Sequence, residues 1–148
     1  MTEISMLRKG DLQKLAELIR VYKEVFEIEN FVLPSDEYLQ SLLDRTGMMF
    51  LVATIESKVV GGLTAHDLPS TYFEGNELYV YDLAVANEYQ RKGIGKTLML
   101  ELAEICKKKG DSEFFLQADF DDEHALEFYR STGGFEESVF HFSYDTKS

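Results

Sequence analysis

The spacing of apolar positions changes repeatedly along the chain, and each change marks an element. Ile4–Leu7 reads as a short first strand. From Asp11, a candidate N-cap, Leu12, Leu15, Leu18, Ile19, Tyr22, Val25 and Phe26 recur at the three- and four-residue spacing of one helix face. Ser35-Asp-Glu-Tyr opens a second, shorter helix through Leu39, Leu42 and Leu43, with Pro34 before the cap, where it does no harm. Met48–Ile55 and Lys58–Ala65 are strand-like runs joined by a tight turn at Glu56-Ser57, and Leu68–Asn76 reads as a loop. Glu77–Val85 is the next strand. A helix then runs from Gly93 to Lys107-Lys108-Lys109, whose cations suit the C-terminal dipole, and Gly110 stops it. Glu113–Ala118 predicts a fifth strand, Asp121 and Asp122 begin a helix ending near Gly133-Gly134, and Phe135–Asp145 supplies one or two final strands.

Composition narrows the class. The chain has 148 residues and is 45% hydrophobic, enough for one compact domain spanning 1–148, and it shows no repeat, low-complexity tract or linker. No apolar run approaches the ~20 residues of a membrane span, and the N-terminus lacks a signal-peptide pattern. Cys106 is the single cysteine and sits on the apolar helix face with Leu98 and Leu102, so a buried residue is expected rather than a nucleophile. These features lead us to expect a cytoplasmic protein. A formal charge of −12 argues against nucleic acid and anionic lipid as partners. It is compatible with plain solubility, or with a field that draws in cationic small molecules.

Against that acidity, one basic cluster stands out. In Glu77-Leu-Tyr-Val-Tyr-Asp-Leu-Ala-Val85 a strand leads through a polar turn into Gln90-Arg91-Lys92-Gly93-Ile94-Gly95-Lys96 and a helix. Amides at a helix start lack intrahelical partners and carry partial positive charge, so they bind phosphate oxygens. Glycines there let a diphosphate approach the main chain. A P-loop needs a glycine upstream that is missing here, and the dinucleotide fingerprint needs glycine where Leu98 stands. Gln90-x-x-Gly93-x-Gly95 resembles the Gln/Arg-x-x-Gly-x-Gly/Ala segment of the GNAT superfamily of N-acetyltransferases. The resemblance implies an α/β (α+β) fold: a mixed, mostly antiparallel sheet of six to seven strands flanked by about four helices, with strands four and five splayed. It implies acetyl-CoA as cosubstrate, held by Leu83, Ala84, Val85 and Gln90–Lys96, with a main-chain amide near Leu83–Val85 polarising the acetyl carbonyl.

The resemblance continues in Asp122-Glu-His-Ala125-Leu-Glu-Phe-Tyr129, similar to the family's Asn-x-x-Ala-x-x-x-Tyr segment. It implies Tyr129 as the acid that protonates the departing thiolate, a role a phenol with a pKa near 10 suits. Asp122 replaces the usual Asn, and an extra Gly interrupts the turn before Phe135. Leu33–Leu43, Val59–Leu63, Leu68-Pro69, Glu77–Val85, Leu116–Asp119, Asp122 and His141-Phe142 are similar to aminoglycoside 3-N-acetyltransferases of the gentamicin/fortimicin type. Asp82 lies among apolar and aromatic neighbours, where desolvation would raise its pKa toward the range of a base for an ammonium acceptor; a buried structural carboxylate is the other reading. Glu77 is a weaker base candidate.

Asp119, Asp121 and Asp122, with Glu24, Glu27 and Glu29, are candidates to line a polycation pocket, though charge runs are usually solvated faces. His141 is a candidate to orient the acceptor or act as a base, and a structural His in an aromatic strand is the alternative. No His, Cys or carboxylate spacing suggests a metal. The expected reaction is direct acetyl transfer to a primary amine of a small cationic acceptor, most readily an aminoglycoside at its 3-amino group. A polyamine, a small metabolite amine or a peptide N-terminus are alternative acceptors. A non-catalytic acyl-CoA-binding module is the alternative of another class. A homodimer stays open by analogy, since family members are often dimers.

Overall fold

A computed structural model of the protein describes residues 1–147. Its elements in chain order are β1 (Thr2–Met6), α1 (Leu12–Val25), α2 (Asp36–Leu43), β2 (Met48–Ile55), β3 (Lys58–Pro69), β4 (Asn76–Val85), a 3-10 turn (Asn87–Tyr89), α3 (Ile94–Lys109), β5 (Phe114–Leu116) and α4 (Glu123–Ser131). The strands form one sheet in the order β1-β2-β3-β4-β5, antiparallel except for the parallel pair β4–β5. Contacts divide the chain into two compact units, Met1–Gln117 and a second beginning at Ala118.

In the first unit the sheet is covered on both faces, which explains why β2 and β3 read as nearly continuous apolar runs rather than alternating ones. One face buries Leu51, Ala53, Leu63, Leu78 and Val80 against Ile94, Leu98, Leu102 and Cys106 of α3. The other buries Phe50, Val52, Val59 and Ala84 against Leu15, Leu18, Val21, Tyr22 and Leu39 of α1 and α2. The neighbouring strand β2, with α1 above it, demands glycine at position 62. A Cβ on Gly62 would collide with the Leu51 carbonyl and stand 2.7 Å from Leu18 Cδ1.

The turn between β2 and β3 has positive φ at both Glu56 and Ser57, the two-residue geometry whose twist suits a hairpin. Ser35 caps α2 through the Tyr38 amide. Asp11 occupies the N-cap position of α1 without bonding into the helix; its carboxylate accepts from the Arg8 amide instead.

Two sequence expectations are corrected. The sheet has five strands rather than six to seven, because 134–147 forms neither helix nor strand. The alternation of Phe140, Phe142 and Tyr144 is strand-like, but a strand needs a neighbour to pair with, and among the described residues 135–147 make no backbone–backbone hydrogen bond. In addition, β3 runs on to Pro69, so the anticipated loop is shorter than 68–76.

Candidate active site

The geometry of the site turns on an irregularity in β4. Thr64 pairs with Asp82 but Ala65 with Val80, so Tyr81 is an extra residue, a β-bulge. Before it, Leu78 and Val80 face the α3 layer; after it, Leu83 and Val85 do. Without the bulge Asp82 would point into the α3 core. With it, Asp82 shares the α1 side with Thr64, whose hydroxyl is 2.9 Å from the buried Tyr22 hydroxyl. Burial pushes the half-buried Asp82 carboxyl above its ordinary range, and the Thr64 hydroxyl and nearby His66 pull it part of the way back. The same burial raises Tyr22 far above a normal phenol, so it stays protonated as a hydrogen-bonding support.

Beside this carboxyl lies an aromatic wall that sequence reasoning missed. Tyr79 stacks on Phe115 with ring centroids 4.9 Å apart and meets Tyr81 edge-on at 5.8 Å, and Tyr81 meets His66 at 6.2 Å. An open cavity of about 620 Å³ is lined by His66, Asp67, Tyr79 and Tyr81 together with Tyr38 and Arg45. The signal for this wall was the alternation of tyrosines at 79 and 81 along the strand.

Past the bulge, β4 has no strand neighbour on one side among the described residues. It pairs with β5 only through Leu78–Val80 and continues to Val85. The Ala86 amide donates to the Val60 carbonyl at 2.8 Å, and the alternation of an antiparallel ladder then turns the Leu83 and Val85 main-chain groups to the other edge. The Val85 carbonyl on that edge accepts from Gln90 Nε2 at 2.8 Å. Gln90 thus ties the turn to the strand, while the Asn87 amide donates to Glu24 of α1 at 2.8 Å. Glu24, expected in a polycation pocket, is engaged in holding this turn.

The turn delivers the chain into α3 with Arg91 and Gly93 at positive φ (62° and 82°). Gly93 caps the helix without a side-chain bond, and the first intrahelical bond is Thr97 N–H to the Gly93 carbonyl at 3.0 Å. The Ile94, Gly95 and Lys96 amides therefore stand without backbone acceptors at an exposed helix start, beside Arg91, Lys92 and Lys96. Lys92 also lies 5.6 Å from the centre of the Tyr89 ring. This is a fit for a diphosphate: orphan donors, an open approach at Gly93 and three cations.

Of the remaining sequence candidates, Glu77 opens β4 half-buried opposite Leu68. In the second unit, Asp122 accepts from the Ala125 amide at 3.1 Å and so is the N-cap of α4. Tyr129 is half-buried on α4, edge-on to Phe128, and its phenol is pushed up to about 12 by burial, with Asp122 adding to the shift. Asp119 is exposed. His141 is also exposed, and its Nε2 lies 3.1 Å from the Ser143 hydroxyl. Cys106 is buried, with its thiol raised to about 11, which leaves it unreactive. Among the described residues, no helix is long and apolar enough to cross a membrane, and no cluster of His, Cys and carboxylates is arranged for a metal.

Among the described residues, an unpaired strand edge runs into a helix start with free amides and three cations, an arrangement able to accept an anionic group. Comparison with known proteins agrees: the acetyltransferase (GNAT) family model matches residues 13–135, and the chain belongs to that family. Enzymes of this family use acetyl-CoA. An aminoglycoside acetyltransferase from an uncultured soil metagenomic sample, solved in complex with trehalose, superposes with a TM-score of 0.97 at 45% identity, covering 99% of this chain and 97% of that one. The same enzyme in complex with sisomicin gives 0.97 and 44%. Spermidine N(1)-acetyltransferase of Thermoplasma acidophilum is 26% identical over 144 residues, 86% of each chain. Human N-acetyltransferase 8 is 31% identical over 94 residues, 64% of this chain; that match spans 41% of the human protein's length. The protein is an acetyltransferase of the GNAT class.

Proposed function

We propose that this acetyltransferase uses acetyl-CoA to acetylate a primary amine of a cationic acceptor, an aminoglycoside at its 3-amino group, with residues 1–148 acting as one catalytic domain. The observation that carries the reading is the half-buried Asp82, set by the bulge beside an aromatic cavity and next on the chain to the bare edge of β4. Likeness to an enzyme solved with sisomicin supports the acceptor class.

Bound acetyl-CoA would supply an activated acetyl thioester. Arg91–Lys96 hold the diphosphate through main-chain amides and side-chain charge, and the Leu83–Val85 edge offers strand-like hydrogen bonds to the amide-bearing arm. The outward Leu83 amide would polarise a carbonyl lying along that edge. Asp82 takes a proton from the acceptor's ammonium, directly or through water, because only a neutral amine attacks a thioester. Tyr129, assigned on its motif, returns a proton to the sulfur. Burial keeps that phenol protonated throughout the neutral range. Glu77, Asp119, Asp122 and His141 are assigned to the acceptor side, Asp122 through its remaining lone pairs. Tyr79 and Tyr81 present apolar ring surface to a sugar. Transfer is direct, since the one thiol is buried and inert.

The test is thiol release from acetyl-CoA with sisomicin, gentamicin, spermidine and simple amines as acceptors. Turnover is expected with the aminoglycosides, and KM should rise with ionic strength because a polycation meets an acidic protein. Turnover with spermidine alone would move the acceptor to the polyamines, the reading favoured by the Thermoplasma relative. Cofactor binding without turnover on any amine would make the chain a binding module.

A further inference from the structure

Behind Asp82 lies a buried pair of hydroxyls that acetyl transfer by Asp82 and Tyr129 does not use. Tyr22 is 7% exposed and Thr64 4%, and their hydroxyl oxygens are 2.9 Å apart. Tyr22 stands on α1 with its ring stacked on Phe26, centroids 5.8 Å apart, which holds the phenol oxygen in place. Thr64 stands on β3 directly opposite Asp82. Residues opposed across an antiparallel pair carry their Cβ atoms about 4.5–5.5 Å apart. The bulge at Tyr81 puts both side chains on the α1 side. Hydroxyls set in a layer with Leu18, Val21 and Val52 cost free energy to bury unless their hydrogen bonds are made.

Counting protons gives these bonds a direction. Tyr22 carries one proton and, held far above a normal phenol, keeps it at neutral pH. Thr64 carries one proton and can also accept, whereas an ionised Asp82 can only accept. With Asp82 charged, one arrangement satisfies all three: the Tyr22 hydroxyl donates to Thr64 Oγ1, and the Thr64 hydroxyl points its own proton at the carboxylate. Each donor polarises the next, so the end of the chain that meets the charge is strengthened. Once Asp82 is protonated that charge assistance is lost.

We propose that Tyr22, acting through Thr64, is a positioning residue for the base: the two hydroxyls form a directed relay from α1 that engages one side of the Asp82 carboxylate and leaves the other for the acceptor. This rests on the reading of Asp82 as the base. Burial raises the carboxyl and Thr64 works against that rise, so the relay keeps the base ionised to a lower pH than desolvation alone would allow. From α1 comes Tyr22 itself. The other titratable and charged groups on this side are His66 of β3, which also favours the charged form, and Tyr79 and Tyr81 of β4. Tyr38 of α2, Arg45 and Asp67 line the cavity beyond them. The neighbouring β5 offers only Phe114-Phe115-Leu116, none of them titratable.

Carbon-13 NMR titration of the side-chain carboxyls tests this without turnover, the Asp82 signal being assigned by its absence from Asp82→Asn. Thr64→Val keeps the shape and removes the hydroxyl. The Asp82 midpoint should rise by about one pH unit, the scale of one hydrogen bond to a charged group. Tyr22→Phe should raise it by less in the same sense, and Thr64→Ser, which keeps the hydroxyl, should hold the wild-type value. The acid limb of kcat/KM should move with the midpoint in each variant. A midpoint unmoved in folded Thr64→Val or Tyr22→Phe overturns the relay, as does Thr64→Ser shifting as far as Thr64→Val. So does a shift that vanishes in a His66→Gln background, which would assign it to His66. If Thr64→Val fails to fold, Tyr22→Phe decides. Failure of the base reading looks different: the midpoints move, the acid limb does not, and Asp82→Asn lowers turnover equally at every pH. That result overturns the catalytic role of the relay together with that of Asp82.

Discussion

Between Met1 and Gln117 both faces of the sheet are covered, and Leu15, Leu18, Leu63, Leu98 and Leu102 are completely buried. In the unit that begins at Ala118 no described residue reaches that burial, and the side chains of α4 are half-buried or exposed. The proposed chemistry is divided across this contrast. Asp82, the bare strand edge and the cradle stand on a body whose geometry is over-determined by packing. Tyr129 and His141 stand on a unit that buries little. The proposed base and cradle thus stand on densely packed structure, whereas the proposed acid Tyr129 stands where little is buried.

The largest expected difference between the two regions is in stability. Leu98→Ala should cost about 2–5 kcal/mol in urea unfolding, because it opens a cavity in a fully buried layer. Leu126→Ala on α4 should cost about 1 kcal/mol or less. Equal costs would erase the contrast. Next in size is Tyr129→Phe, which keeps the ring and removes the hydroxyl. Turnover should fall roughly 10²-fold with affinity for CoA and stability nearly unchanged. Wild-type turnover would reduce Tyr129 to a packing residue.

Gly93→Val tests the cradle. The position has φ of 82°, and a Cβ there meets nothing within 4 Å of the protein, so the cost is backbone strain together with an obstructed approach for phosphate. Calorimetric affinity for acetyl-CoA should drop by about tenfold or more, on the scale of 1.4 kcal/mol. Unchanged affinity in a folded variant would remove the diphosphate assignment.

Asp82→Asn sharpens the comparison most finely. Its turnover deficit should be greatest below the acceptor's own pKa and shrink above it, where the amine deprotonates unaided; a uniform deficit would mark Asp82 as structural. The stability effect has the opposite sense. Burial raises the folded-state pKa, so the folded chain binds the extra proton between the ordinary carboxylate range and that raised value. The charge therefore costs stability above the folded value, and the cost fades as pH falls. The Asn variant should be the more stable at pH 7, with the gap closing toward about pH 4. A gap that widened on acidification would show that desolvation is not what sets this carboxyl.

Local signals were enough for much of this protein. The caps at Ser35 and Asp122, the stop at Gly110, the buried Cys106 and the strand-to-helix turn at Gly93 all depend on short-range rules: which side chain reaches which orphan amide, and which residue tolerates a positive φ. The family resemblance rested on the same local run and proved correct. Other features needed the assembled sheet. Alternation from Leu78 and Val80 sends Asp82 into the α3 core, and only the bulge at Tyr81, a matter of pairing with β3, turns it to Thr64 and Tyr22. The aromatic cavity joins residues from α2, β3 and β4 that have no common period. The final segment has a strand's alternation and no strand, because side-chain pattern is written in one chain whereas a strand exists only beside another.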